Sequence, residues 1–443
     1  MAEEQRPSTS WGEGGLFASR TLGGLALLVG IPPAIMMMWF TNSELGGSWY
    51  TLFEKFGAEG FISVMKEMYR TPFDPLAWKI ILGFMAFELA LMKLVPGKEF
   101  RATVTKTGHV PVYTANGMQC YVLTLAAFSA LTYLGALDPA VVYDRFGHLT
   151  AAMLLFALLF CAMLYLKGWY APSTRDSGSN GSLIMDYFWG MELYPRILGW
   201  DVKMFTNCRF GMMLWALLPM CFAYKQYQDL GGQVSNSMAI NVVLQLIYVT
   251  KFFWWETGYL CSMDIQHDRA GYYICFGCLV YLPVMYTSHS FYLVKHAIQL
   301  TPVLALAIFL GGVWCIWANY DADRQRQEFR ATGGRAKVWG KEPKKVVARY
   351  QTEDGAERES LLLCAGWWAL SRHFHYVPEI GASLFWSLPA LFGHFMPYFY
   401  VVYLSILLAD RAWRDDARCA KKYGKYWEEY SREVPYKIIP GII

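Results

Sequence analysis

The sequence predicts an all-α fold: a polytopic membrane bundle of about ten transmembrane helices with a cytosolic C-terminal region that binds a cofactor. Three observations predict it. The 443 residues are 55% hydrophobic and only 17% charged, with a mean hydropathy of +0.23, too little charge to cover a soluble surface of this size. Apolar stretches of about 20 residues recur along the chain, the length that a hydrocarbon core of about 30 Å requires. Lys and Arg gather in a few short stretches that an even number of spans places on one side of the membrane. The net charge of +4 gives no electrostatic footprint for nucleic acid.

Taken in order, residues 1–21 read as a short cytosolic tail. Its MAEEQRPSTSWGEGG start has acids where a cleaved leader needs bases, so the first span is expected to be a signal anchor. Spans follow near 22–42, 76–96, 116–137, 147–166, 205–224, 237–259, 270–288 and 298–318, so residues 22–320 form most of the bundle. The run 379–409 is too long for one upright helix and holds Gly393, His394 and Pro397 at its middle, which predicts a helical hairpin within the C-terminal region 321–443. GKEFRATVTK (97–106), DRQRQEFRATGGRAKVWGKEPKK (323–345) and RAWRDDARCAKKYGKYW (411–427) then share the cytosolic side with both termini. Of the ten cysteines, most lie in apolar stretches, and the CFGC run from Cys275 to Cys278 lacks the second pair of a zinc site, so they read as packing residues and no metal site is expected.

The chemistry is bounded by what is missing: GxGxxG after a strand, GxxxxGK[ST] and HExxH are all absent. A nucleotide would need another cradle. Arg326 and Arg330 are four apart and share a helix face, Arg372, Lys421 and Lys422 add cations, and Trp367, Trp368, Tyr376, Tyr423 and Tyr430 add flat rings. Forked guanidinium groups suit phosphates and aromatic planes suit a base or nicotinamide. The competing reading is that the cations set topology and the rings form an interfacial belt. Polar residues inside apolar surroundings are expensive and mark function. FFWWETGYLCSMDIQHDRAGYYICFGCLVYLPVMYTS supplies Glu256, Asp264, His267, Asp268 and Tyr286, although Asp264, His267 and Asp268 also suit the capping of a helix junction.

GWWALSRHFHYVPEI (Gly366–Ile380) resembles the GWWGxxRHxNYxGD signature of the sterol reductase family. GSLIMDYFWGMELYPR (Gly181–Arg196) resembles that family's GxxxYDxxxGxxLxPR, and RDDARCAKKYGKYWEEYSREVPYKIIPGII is similar to its closing segment. The resemblance runs from about residue 75 to the end. It implies a multi-pass enzyme of the endoplasmic reticulum membrane that uses NADPH to reduce a ring double bond of a sterol. The run from Lys167 to Ile197 and the HFHYVPE variant are most similar to the plant-type branch acting at the C7–C8 bond of 5,7-dienes.

Carried over by position, the cofactor contacts are Arg326, Arg330, Leu363, Trp368, His375, Tyr376, Asp415, Cys419, Ala420, Lys421, Lys422, Tyr423 and Tyr430. The arginines suit the phosphates, the 2′-phosphate included, and Asp415 suits a ribose hydroxyl or the carboxamide. Met185, His375 and the Pro378–Glu379 pair depart from the signatures, and Arg326 stands where vertebrate members often carry Lys. An isolated sterol alkene accepts no hydride until it is protonated, so the reaction requires a positioned acid in a dry pocket. Tyr286, or a network of Asp264, His267 and Asp268, is expected to supply that proton. Protonation at C8 leaves an allylic cation at C7 that aromatic faces stabilise. The implied partners are a sterol drawn from the bilayer and membrane lipids, with association with other sterol-pathway enzymes left open. The rival readings are a Δ14 or Δ24 reductase of the same family and a methyltransferase for prenylated cysteine, whose S-adenosylmethionine carries no phosphate for the arginine pair.

Overall fold

The computed structural model describes residues 20–105, 107–351 and 357–442, so most of the expected tail over residues 1–21 lies outside the described residues. Contacts divide the chain into two units. The first holds the described residues to Ala305 together with Pro389–Tyr400, and the second holds Leu306–Leu388 and the chain from Val401 onward.

In the first unit the apolar stretches fold as helices whose ends are set by local chemistry. After α1 (Arg20–Glu44), Ser48 caps α2 (Trp49–Glu59), accepting from Thr51 N, and α3 (Phe61–Met68) follows across Gly60. Asp74 caps α4 (Pro75–Leu94) by accepting from Ala77 N at 2.8 Å, with Pro75 at the first helical position. A hairpin, β1 (Lys98–Arg101) and β2 (Val112–Ala115), leads to α5 (Gly117–Tyr133), α6 (Ala140–Asp144), α7 (Phe146–Tyr170) and α8 (Leu183–Trp189). A second hairpin, β3 (Arg196–Ile197) and β4 (Trp200–Asp201), precedes a π-helix over Met204–Gly211 that passes into α9 (Met212–Asp229). Then come α10 (Asn236–Trp254), α11 (Glu256–Tyr259), α12 (Met263–Gln266), a second π-helix over Tyr272–Tyr281, α13 (Leu282–Met285) and α14 (Ser288–Lys295). The two π-helices pack on each other, and a Cβ at Gly211 would sit 2.8 Å from Cys278 O, so a larger residue would force them apart.

The second unit starts within α15 (Pro302–Ala331). It continues through a third hairpin, β5 (Lys345–Gln351) and β6 (Glu357–Leu363), then α16 (Tyr376–Ser387), α17 (Phe399–Tyr423) and α18 (Lys425–Glu433). One apolar cluster joins the hairpin's Val346, Ala348 and Leu362 to Cys419, Trp427 and Tyr430, and another joins Phe329 and Val338 to Leu363 and Trp368.

The protein is a mostly helical, polytopic membrane protein. The all-α expectation is corrected at three places, the antiparallel two-stranded hairpins. In β5 the burial alternates along the strand, the signature of a strand with one covered face. Among the described residues six helices are long and apolar enough to cross a membrane: Thr21–Glu44, Pro75–Leu94, Phe146–Tyr170, Asn236–Trp254, Tyr272–Lys295 and Pro302–Ala331. The other four expected spans are helical but differ for local reasons. α5 has 17 residues. The stretch 205–224 opens on a π-helix that buries Arg209 and carries Pro219 within α9. Residues 379–409 fold as two helices, α16 and α17, with two 3-10 turns between them around the predicted glycine and proline.

Candidate functional site

Within the second unit, the end of α15 presents Arg326 and Arg330 on one face. The Arg326 guanidinium carbon lies 4.2 Å from the centre of the Trp368 ring, and Nη2 donates to Asp323 at 3.1 Å. The indole cannot drift, because its Nε1 donates to the Ala322 carbonyl at 2.8 Å. Rings continue from it: Trp368 to His375 at 5.0 Å, His375 to Tyr376 at 4.2 Å, and His373 to Tyr376 at 5.3 Å with 9° between planes. A backbone turn makes this possible. Gly366 has φ +63°, and a Cβ there would stand 2.3 Å from Gln325 Oε1, so the two tryptophans that follow reach α15 only from a glycine.

α17 brings Asp415, Cys419, Lys422 and Tyr423 onto one helical face. Asp415 accepts from Arg418 at 2.5 Å and 3.1 Å, and its other oxygen is 3.9 Å from His373 Nε2. Burial pushes the Asp415 carboxyl up, but Arg418 foremost, with His373 and Arg326, holds it below the usual carboxylate range. Burial pushes the His373 imidazole down to about 4 against the pull of Asp415, so at neutral pH a carboxylate faces an uncharged ring. Arg330 lies in electrostatic reach of Arg326, Cys419, Tyr423 and Tyr430.

The structure thus brings together the expected arginines, Trp368, His375, Tyr376, Asp415, Cys419, Tyr423 and Tyr430, with Leu363 beneath Trp368. Ala420 and Lys421 are exposed and off that face, and the Lys422 ammonium sits over the Tyr350 and Tyr423 rings at 4.3 and 5.0 Å. Arg372, offered above as a further cation, is committed elsewhere: it is buried and donates to the carbonyls of Val434 and Pro435 at 2.8 and 3.1 Å, bracing the C-terminal tail. Sequence reasoning passed over His373 and Arg418. The three-residue step from Asp415 to Arg418 within a helix was the available signal for one of them. This donor set fits NADPH. Two arginines suit phosphate oxygens, a carboxylate kept ionised suits a ribose hydroxyl or carboxamide N–H, and a run of rings suits a base or nicotinamide.

Within the first unit, the segment carrying Asp264, His267 and Asp268 is held by a buried lysine. Lys203 Nζ donates to the carbonyls of Asp264, Ile265 and Asp268 at 3.0, 2.6 and 2.8 Å, using all three of its protons. Asp268 is buried, Asp264 half-buried and His267 exposed. The 181–196 signature packs behind this segment. Gly190, at φ +103°, would place a Cβ 2.6 Å from the Ala270 carbonyl carbon, Asp186 accepts from Ser179 and Asn180, and Glu192 accepts from Lys167 and Ser173. Tyr286 is at the other end of the same helical run, after α13, edge-on to Trp215 at 5.0 Å and 4.4 Å from the Tyr400 ring. The 14 residues from Tyr272 to Met285 span about 20 Å, so Tyr286 and the Asp264/His267/Asp268 segment are separate candidates rather than one network. Glu256 is taken by structure: it pairs with buried Arg209 at 2.5 Å and accepts from Gly117 N at 2.8 Å.

The model of the ergosterol biosynthesis ERG4/ERG24 family matches residues 17–443. The chain is 51% identical to the 7-dehydrocholesterol reductase of Arabidopsis thaliana over 422 residues, 94% of this chain and 96% of that one. It is 36% identical to the 7-dehydrocholesterol reductase of Xenopus laevis over 384 residues, 83% and 81% of the two chains. With the Delta(14)-sterol reductase of Methylotuvimicrobium alcaliphilum it shares 34% over 427 residues, 94% of each.

Proposed function

Since the chain belongs to the ergosterol biosynthesis ERG4/ERG24 family, we propose that it is a sterol reductase that saturates the C7–C8 bond of 5,7-diene sterols such as 7-dehydrocholesterol, with NADPH as reductant. The observation that carries the substrate is the 51% identity over 94% of the chain to a 7-dehydrocholesterol reductase. A Δ14 specificity is the second reading, favoured by the 34% identity to a Delta(14)-sterol reductase across 94% of both chains.

The residues divide the work. Arg326 and Arg330 bind phosphates, Trp368, His375 and Tyr376 offer ring faces, and Asp415 orients a hydroxyl or amide. When bound, NADPH supplies the hydride. The chain's part in the sterol half of the reaction is to deliver a proton to C8 and to shelter the cationic carbon skeleton from water. Tyr286 is suited to this because its ring packs between those of Trp215 and Tyr400, and aromatic faces stabilise positive charge without attacking it. The Asp264/His267/Asp268 segment, immobilised by Lys203, is the other donor. The protein sits in the endoplasmic reticulum membrane with about ten spans and both termini cytosolic, draws its sterol from the bilayer, and works beside other sterol-pathway enzymes.

The test is a microsomal assay in a host without sterol reductases. Given 7-dehydrocholesterol and NADPH, the extract is expected to yield a sterol two mass units heavier that keeps its Δ5 bond. Conversion of a Δ14 sterol and not of the diene would replace the substrate. Tyr286→Phe is expected to lower kcat at least tenfold by removing the donor proton; a wild-type kcat would move that role to the Asp264 segment.

A further inference from the structure

A cavity of about 100 Å³ opens where α4 ends, apart from the residues assigned above, and its lining includes Lys93, Tyr113, Thr114, Arg196, Trp200 and Asp201. A water occupies about 30 Å³, so the space takes a group of a few heavy atoms. Lys93 stands 5.7 Å over the Trp200 ring, and Arg196 donates through Nη2 to the Val112 carbonyl at 2.5 Å; among the described residues neither cation forms an ion pair within 4 Å, although Arg196 lies in electrostatic reach of Asp201, opposite it in the hairpin. The Tyr113 side chain is 4% exposed, yet its hydroxyl has no hydrogen-bond partner among the described residues. Such an orphaned buried hydroxyl costs stability unless a ligand completes it. The one acid in the lining, Asp201, has an oxygen engaged by Met204 N at 2.9 Å, so the lining sets two cations against one carboxylate. The cavity is therefore set for an oxyanion.

Its rim is apolar. The turn between β3 and β4 puts Leu198 at φ +50°, 88% exposed, before Gly199 at φ +87°. A leucine in the left-handed region is strained where glycine would not be, and strain kept at an exposed tip points to a role outside the fold. Leu94, the last residue of a helix apolar enough to span a bilayer, is 78% exposed. A soluble anion gains nothing from either leucine, whereas acyl chains would cover both.

We propose that this pocket holds the phosphate of a membrane phospholipid, with Lys93, Arg196, Thr114 and Tyr113 as donors and the acyl chains lying over Leu94 and Leu198. The purified full-length chain, titrated with phosphatidylglycerol in detergent and read by native mass spectrometry, tests it. Wild type is expected to retain one phosphatidylglycerol more than the Lys93→Gln/Arg196→Gln double variant, whose apparent affinity falls about tenfold or more. Leu198→Gly relieves the turn, so its melting temperature is expected to stay level or rise while lipid retention weakens; it decides the matter should the double variant fail to fold. Equal retention by wild type and Leu198→Gly, or displacement of the lipid by inorganic phosphate alone, would overturn the proposal, the latter in favour of a soluble oxyanion.

Discussion

Arg326→Gln is the substitution that separates a cofactor site from a charged helix end. Two contacts of this side chain, the stack on Trp368 at 4.2 Å and the bond to Asp323 at 3.1 Å, exist without any nucleotide. They are worth about 1 kcal/mol and about 0.5 kcal/mol, and both largely cancel from cofactor affinity. A charge-assisted contact to a phosphate does not cancel, and at about 2 kcal/mol it corresponds to a roughly thirtyfold rise in the KM for NADPH. Arg326→Lys keeps the charge but not the planar fork, so the rise is expected to be smaller, about threefold to tenfold. Initial rates in microsomes against NADPH and NADH locate the contact. A KM rise for NADPH alone assigns Arg326 to the 2′-phosphate, and an equal rise for both assigns it to the pyrophosphate. An unchanged KM for both, with the stability of the protein intact, would refute the reasoning and leave Arg326 as a surface cation stacked on an indole.

Lys203→Met leaves three carbonyls without their shared donor, a loss of about 3 kcal/mol that is expected to lower the melting temperature in detergent by about 3 °C; no change would show that water replaces the ammonium. His373 gives a pH signature. Its folded pKa of about 4 lies below the ordinary imidazole value, so its contribution to stability is complete above about pH 6.5 and is lost as pH falls towards 4, by about 3 kcal/mol, and Asp415 adds a loss of the same sign at lower pH. Melting curves between pH 7 and 4.5 are expected to flatten in His373→Gln, and parallel curves for the variant and wild type would rule the ring out as their source. Gly190→Ala forces a methyl to 2.6 Å from the Ala270 backbone at a φ of +103°, and is expected to abolish recovery of folded protein; normal yield would mean the two segments separate readily.

The fold was legible where one quantity decides it. A run of apolar residues long enough to span a bilayer must be helical, because the backbone finds no other partners there, and α1, α4, α7, α10 and α15 fall where length and hydropathy put them. The centre of 379–409 was legible for the opposite reason, since a glycine and a proline four residues apart, Gly393 and Pro397, leave few ways to continue a helix. The hairpins were not legible. β3 and β4 have two residues each, and β1 and β2 four each, too short for an alternation to rise above the spans beside them. The π-helices were equally hidden. Their widened turns depend on contacts between residues about 70 apart, such as Asn207 with Cys278, and not on a local pattern.

At the candidate site the limit was different: sequence names which residues are charged or aromatic, but not which are already engaged. Arg372 and Arg326 look alike within their motifs. One is enclosed by the tail's carbonyls, while the other is half-buried, its guanidinium carbon 4.2 Å from an indole centre and its Nη2 on Asp323. The same accounting separates the two signatures. In the 181–196 signature, the carboxylates of Asp186 and Glu192 are filled by neighbouring N–H, hydroxyl and ammonium groups, and Gly190 exists to let two backbones touch, so this motif is a frame for the Asp264 segment. In the 366–380 signature the tryptophans are anchored by their N–H groups, Trp368 carries the Arg326 guanidinium on its ring, Trp367 stacks on Phe374, and His373 is held neutral against an ionised Asp415. A motif whose polar atoms are filled from within serves the fold. One that holds a half-buried guanidinium against an indole is the arrangement on which the proposed cofactor site rests, and that difference, visible only once the chain is folded, is why the second signature and not the first is proposed for the cofactor.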